Sequence, residues 1–179
     1  TLYKDQGWSC ERLQRYYNPA DVAQEVCVFA YYDKNWDIAP KVRVSGFQSF
    51  NELSKKFKAF QPDVIRCYEA FPPFCDYALA VAAQLKIPSY LSLHDGRLRY
   101  HQRLARFDVI TAYTPTVARN AAQALNRSVD VQLNGIDSQL FCSKTPSFID
   151  ERVAHAEYRI FTVGRNDPVK NMDTAIKAT

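Results

Sequence analysis

The sequence predicts an α/β fold, a parallel sheet covered by helices on both faces, and three observations carry that prediction. Between residues 61 and 133 the apolar period switches repeatedly between 2 and 3.6, so that short β-branched or aromatic runs alternate with helical stripes. The joints between these segments are short and punctuated by helix signals such as Thr114 followed by Pro115, an N-cap with proline at the first helical position. Finally, residues 158–173, YRIFTVGRNDPVKNMD, read as a buried strand (Ile160, Phe161, Val163), a Gly164 turn, a loop bearing Arg165 and Lys170, and a helix capped by Asn171. A strand that feeds a turn and then a helix puts its loop at the strand's carboxyl edge, where open α/β sheets bind phosphates.

The elements follow in order. Residues 1–18 hold Gly7, Trp8 and Ser9 and then ERLQRYY, where Leu13 and Tyr16 or Tyr17 share a helical face that Pro19 ends. EVCVFAYY (25–32) has the length and composition of a buried strand, and KVRV (41–44) alternates like an edge strand or hairpin arm. Phe50, Leu53, Phe57 and Phe60 mark one face of a helix whose other face carries Lys55, Lys56 and Lys58, either simply solvated or turned to anionic lipid. Val64 to Cys67 reads as a strand ending in Tyr68 and Glu69, and Pro72 and Pro73 open a helix through DYALAVAAQL. SYLSLHD is a strand with His94 and Asp95 at its carboxyl end. A basic helix follows, with Arg99, Arg103 and Arg106 on one stripe and Arg97 just before it, again solvated or docked to a phospholipid headgroup. DVITAY, the helix after Thr114 with its stripe Val117, Ala121 and Leu125, the strand SVDVQL and the Asn134-Gly135 turn complete the alternation.

Composition bounds the function. With 179 residues, 47% of them hydrophobic and 13% aromatic, the chain suits one good core and the start of another. No apolar run approaches a membrane span, and no secretory pattern opens the chain. The net charge of +4 permits an acidic membrane surface or a phosphorylated ligand and demands neither. Five scattered cysteines without a CxxC pair suit a reducing cytoplasm, and three separated histidines argue against zinc. No recognition motif or aromatic ladder supports nucleic acid, and no GxGxxG follows a strand, which sets hydride transfer aside. On the last loop, Arg165 offers a planar fork for two phosphate oxygens and Lys170 a mobile point charge, though a solvated basic turn would look the same.

Five segments resemble family 4 glycosyltransferases, in the family's order. VGRNDPVKN resembles the opening of that family's second domain, where a strand leads into G-R, four residues, then K-G or K-N. PDVIRCYEAFPPF resembles its PDVVH strand and cleft loop, and IPSYLSLHD its I-P, V-x-T-x-H-D strand. FDVITAYTPTVARN resembles the A-D-x-V-I-x-x-S segment, and LNGIDSQLF the P-N-G-V-D-x-x-x-F passage before the crossover. Together they cover roughly residues 61–179.

The resemblance implies two Rossmann-like domains: residues 1–145 on the acceptor side, a linker at 146–157, and at 158–179 the start of a nucleotide-sugar-binding domain. It implies a retaining transfer of sugar from a nucleotide-diphosphate donor to a sugar or lipid-linked acceptor, with no metal and no cofactor beyond that donor. Gly164, Arg165 and Lys170 would hold the donor diphosphate, and His94 would lie beside the reacting sugar. Gly7, Asp95, Asn134 and Gly135 would line the cleft, although Asp95 also reads as a helix cap and Asn134-Gly135 as a plain turn. Glu69 stays open between a site role and a solvent-facing loop carboxylate. The expectation is therefore part of a longer cytoplasmic transferase, peripheral to anionic membrane, whose 179 residues alone do not catalyse. The rival is a Rossmann-like module that binds an anionic ligand or membrane surface and catalyses nothing.

Overall fold

A computed structural model describes residues 9–31, 34–96, 100–133, 135, 174 and 177. The chain divides into two compact units, Thr1–Asn134 and Gly135–Thr179. The expected linker at 146–157 and the strand, loop and helix expected at 158–179 fall in the second unit, outside the described residues apart from helical positions Thr174 and Lys177.

Helix α1 (Cys10–Tyr17) starts where the Ser9 side chain accepts a hydrogen bond from the Arg12 N–H, and it stops before Pro19, as the sequence requires. Strands β1 (Val26–Tyr31), β2 (Trp36–Ala39) and β3 (Val42–Phe47) form a sheet in the order β1-β3-β2. β1 and β3 are parallel, and β2 returns antiparallel with a register shift between Asp37 and Ala39. KVRV is therefore a hairpin arm, one of its two expected readings, and not an edge. It extends to Phe47 and lies at the centre of its sheet, with the unexpected β2 outside it. Alternation records which faces of a strand are buried and is silent about its neighbours, so this strand's place was not readable.

The same alternation splits the faces of that sheet. Val42 and Val44 pack with Ile38 and with Leu13 of α1 on one face. On the other, Phe29 stacks on Phe57 of helix α2 (Phe50–Phe60), their ring centroids 4.0 Å apart. Helix α2 begins at Ser49, which accepts from the Glu52 N–H while the Glu52 carboxylate accepts from the Gln48 N–H. Such an N-cap contributes about 1 kcal/mol.

Strands β4 (Ile65–Tyr68), β5 (Ser89–Leu93), β6 (Val109–Ala112) and β7 (Asp130–Val131) form a parallel sheet in sequential order. Helix α3 (Phe74–Leu85) joins β4 to β5, and helix α4 (Pro115–Leu125) joins β6 to β7. The Thr114 hydroxyl caps α4 by accepting from the Val117 N–H. Leu91, Leu93, Ile110 and Ala112 face inward with Val81 of α3 and Ala121 of α4, all nearly inaccessible to solvent. The alternate residues Arg66, Tyr68, Tyr90, Ser92 and Thr111 line the opposite face. There the Tyr90 hydroxyl lies 2.6 Å from Thr111 Oγ1 and donates to Gln132 Oε1 at 2.6 Å. The fold is thus α/β and Rossmann-like, with helices flanking a parallel sheet.

One expected helix takes another form. Among its described residues the basic segment after β5 forms a five-residue 3₁₀ helix, Gln102–Arg106, so Arg103 and Arg106 are not part of an α-helical stripe, and Arg97 and Arg99 lie outside the described residues. Leu104 and Phe107, both fully buried, anchor this short turn between α3 and α4. Phe107, just past the turn, takes extended backbone (φ −63°, ψ 140°), so the helix stops there.

Candidate functional site at the carboxyl edge of the parallel sheet

β4, β5 and β6 end together because they run parallel in register, Tyr68 opposite Ser92 and Leu93 opposite Ala112. The Tyr113 N–H then donates to the Leu93 carbonyl, and the Glu69 N–H to the Ser92 carbonyl. This arrangement brings the side chains that follow each strand onto one edge. The His94 ring lies between two tyrosines: Tyr68 at 4.3 Å with planes 30° apart, and Tyr113 at 5.4 Å with planes 12° apart.

Ser92, buried on the sheet face below, places Oγ 2.9 Å from His94 Nε2 and accepts from an Arg66 N–H at 3.4 Å. The Arg66 guanidinium also lies over the rings of Tyr68 and Tyr90 at 5.9 and 5.5 Å. Desolvation, and then the nearby Arg66 charge, hold His94 below the ordinary histidine range, so the ring is neutral at neutral pH.

Glu69, which the sequence left open, is 5% exposed and has a left-handed φ of 69°. Burial raises its carboxyl above the usual range, and the Asp95 charge adds to the rise. Hydrogen bonds from the backbone N–H groups of His94, Asp95 and Ala70 oppose it. Its Oε2 has no hydrogen-bond partner among the described residues. Asp95 is half-buried and its carbonyl accepts from the Tyr100 hydroxyl at 3.1 Å. A Cβ on the next residue, Gly96, would come within 3.3 Å of Val117 Cγ2, so the glycine lets the loop pass close over α4.

Of the residues the sequence nominated, His94 and Asp95 therefore meet at one edge, together with Glu69. Gly135 is exposed, and a Cβ there would touch nothing within 4 Å, so no close approach demands glycine. Gly7, Asn134, Gly164, Arg165 and Lys170 lie outside the described residues. Sequence reasoning missed Tyr68, Ser92, Arg66 and Tyr113 as neighbours of His94. The available signal was positional: Tyr68 and Tyr113 stand at or just beyond strand ends, and Ser92 lies two residues before His94 on the same face.

Two other clusters are answered by their own surroundings. Cys75, Asp76 and His101 bring potential ligand atoms within 4.8 Å of one another, although 25 residues of sequence hide it, so His101 is not isolated. There Arg103 lies 3.9 Å from Asp76, and burial keeps the Cys75 thiol above its ordinary range. An open cavity of about 440 Å³ between α2 and the three-stranded sheet includes Arg43 and Lys56. Arg43 pairs with Glu25 at 3.0 Å and covers the Phe60 ring, while Lys56 pairs with Glu52 at 3.1 Å and donates to the Gly46 carbonyl.

No helix among the described residues is long and apolar enough to cross a membrane. No protein-family model and no curated protein matches the chain.

Proposed function

We propose that this chain belongs to a retaining glycosyltransferase that moves a sugar from a nucleotide-diphosphate donor to a sugar or lipid-linked acceptor. The observation that carries the reading is His94, a neutral imidazole between Tyr68 and Tyr113 at the carboxyl edge of a parallel sheet, within the segment IPSYLSLHD. Ligands of open α/β sheets bind at that edge. Flat rings beside a neutral hydrogen-bonding group suit a sugar, which presents C–H faces and hydroxyls. The five family-like segments add the donor side: Arg165 and Lys170 offset the charge that grows on the departing diphosphate.

The test is a donor-consumption assay across a panel of nucleotide sugars, on the full-length protein. His94→Ala is expected to lower kcat/KM by about 100-fold, as loss of one transition-state hydrogen-bond donor does. Arg165→Ala or Lys170→Ala should each cost roughly 2–5 kcal/mol of donor binding. Turnover of no nucleotide sugar, or an indifferent His94→Ala, overturns the reading. A peripheral membrane role belongs to the same proposal, since Lys55, Lys58, Arg103 and Arg106 are exposed. Sedimentation with anionic but not neutral vesicles, weakened by salt, is its expected signature.

A further inference from the structure

We propose that Ser92 and Arg66 are positioning residues that hold His94 as the neutral tautomer protonated at Nδ1, so that the ring meets a ligand as a hydrogen-bond donor and not as a base. Arg66 has only donors to offer, so at 3.4 Å it gives an N–H to Ser92 Oγ. Ser92 owns one hydroxyl proton, and His94 Nε2 lies 2.9 Å from the same oxygen. If Nε2 carried a proton, Oγ could accept from both donors through its two lone pairs, but the hydroxyl proton of a side chain only 6% exposed would need another acceptor. Among the described residues Ser92 makes no hydrogen bond to such an acceptor. If Nε2 is bare, Ser92 donates to it and all three groups are satisfied. The proton then sits on Nδ1, which has no hydrogen-bond partner among the described residues.

Desolvation of the ring and the Arg66 charge, from β4, favour the same neutral state. Nearby anions act the other way: Asp95, and Glu69 where it is ionised, although burial pushes the Glu69 carboxyl toward protonation. Tyr100, from the following segment, is pushed up by burial and by those carboxylates, and stays protonated. Tyr68 and Tyr113 cover the two faces of the ring, leaving the N–H in the ring plane as its outlet. The tautomer follows from this geometry alone. The donor role toward an oxygen of the ligand rests on the reading that this edge is the ligand site.

The experiment is long-range proton–nitrogen correlation of the His94 ring in the 179-residue chain labelled with nitrogen-15. Nε2 is expected to show the signal of a bare, pyridine-type nitrogen and Nδ1 that of a protonated one. Ser92→Ala should shift the population toward the Nε2-protonated form and raise the pH at which the ring charges. Ser92→Thr, which keeps the hydroxyl, should restore both, and Arg66→Gln should keep the tautomer yet raise the charging pH. A residue that merely supported the fold would move melting and leave ring signals alone. A wild-type ring protonated at Nε2 overturns the proposal, and so does a Ser92→Ala ring indistinguishable from wild type. Sugars and nucleotide sugars added to the same sample should move the Nδ1–H signal. A ring that none of them touches overturns the ligand role of the edge and leaves the tautomer standing.

Discussion

At the scale of single residues, the carboxyl edge concentrates groups held away from their ordinary protonation. Glu69 has a raised carboxyl, so between its unfolded value of 4.5 and its folded one the native state binds more protons than the unfolded chain. Stability from this group is therefore fully present below 4.5 and lost as pH rises through the folded value. Comparing urea midpoints of Glu69→Gln and wild type at pH 4.5 and 7 should show the difference moving in favour of glutamine at the higher pH. His94 works the other way: its lowered value costs stability as pH falls below 6.5, because the unfolded chain takes the proton first. Little of this was legible beforehand. His94 and Asp95 could be nominated because a histidine at a strand's carboxyl end stands out. The burial of Glu69 depends on where β5 delivers its backbone N–H groups, and that is a property of pairing between strands. Cys67, by contrast, sits in the core, and burial pushes its thiol up to about 12, which makes it chemically quiet.

At the scale of elements, capping residues marked the starts of α2 and α4 and Pro19 the end of α1, while the later helix ends carried no glycine signal. Ser49 and Thr114 cap as their residue types demand. The ends of α2, α3 and α4 fall on Gln61, Lys86 and Asn126, all left-handed with φ near 50° to 56° and none a glycine. Left-handed backbone costs such side chains roughly 1–2 kcal/mol, against a glycine entropy cost of roughly 0.5–1. Gln61→Gly and Lys86→Gly are thus each expected to stabilise by roughly 0.5 kcal/mol, read as a small rise in urea midpoint. Arg127 supplies a second element-scale device. Its guanidinium donates to the carbonyls of Ala105, Phe107 and Asp108, tying the 3₁₀ turn to the end of α4. Arg127→Ala should cost about 2 kcal/mol, and Arg127→Lys should recover only part because a point charge cannot span three carbonyls. Nothing in the residues around Arg127 announced this, since its partners lie some 20 positions earlier.

At the scale of the molecule, the alternation of periods correctly forecast an α/β unit with a parallel sheet, because each βα step carries its own local signature. It did not forecast two separate pairings of strands, β1-β3-β2 and β4-β5-β6-β7. Sheet order is set by long-range contacts that a local pattern does not encode. The core nevertheless crosses that division: Phe47, Leu53 and Phe57 belong to the same buried cluster as Ile65, Leu91 and Ile110. The two sheets should therefore unfold as one. Phe57→Ala is expected to cost roughly 3–5 kcal/mol and to speed amide hydrogen exchange in β3 and β5 alike. Unchanged exchange in β5 would mean that the sheets open independently.

The sequential order of β4, β5, β6 and β7 has a consequence for synthesis. Each strand of that sheet after β4 pairs with the strand made immediately before it, so no partner has to wait for a distant part of the chain. Strand, helix and next strand can dock as they leave the ribosome, amino-terminal units first. Nascent chains arrested at successive lengths should then gain protease resistance in steps, one as each βα unit emerges. A single late step would show that the sheet waits for its last strand.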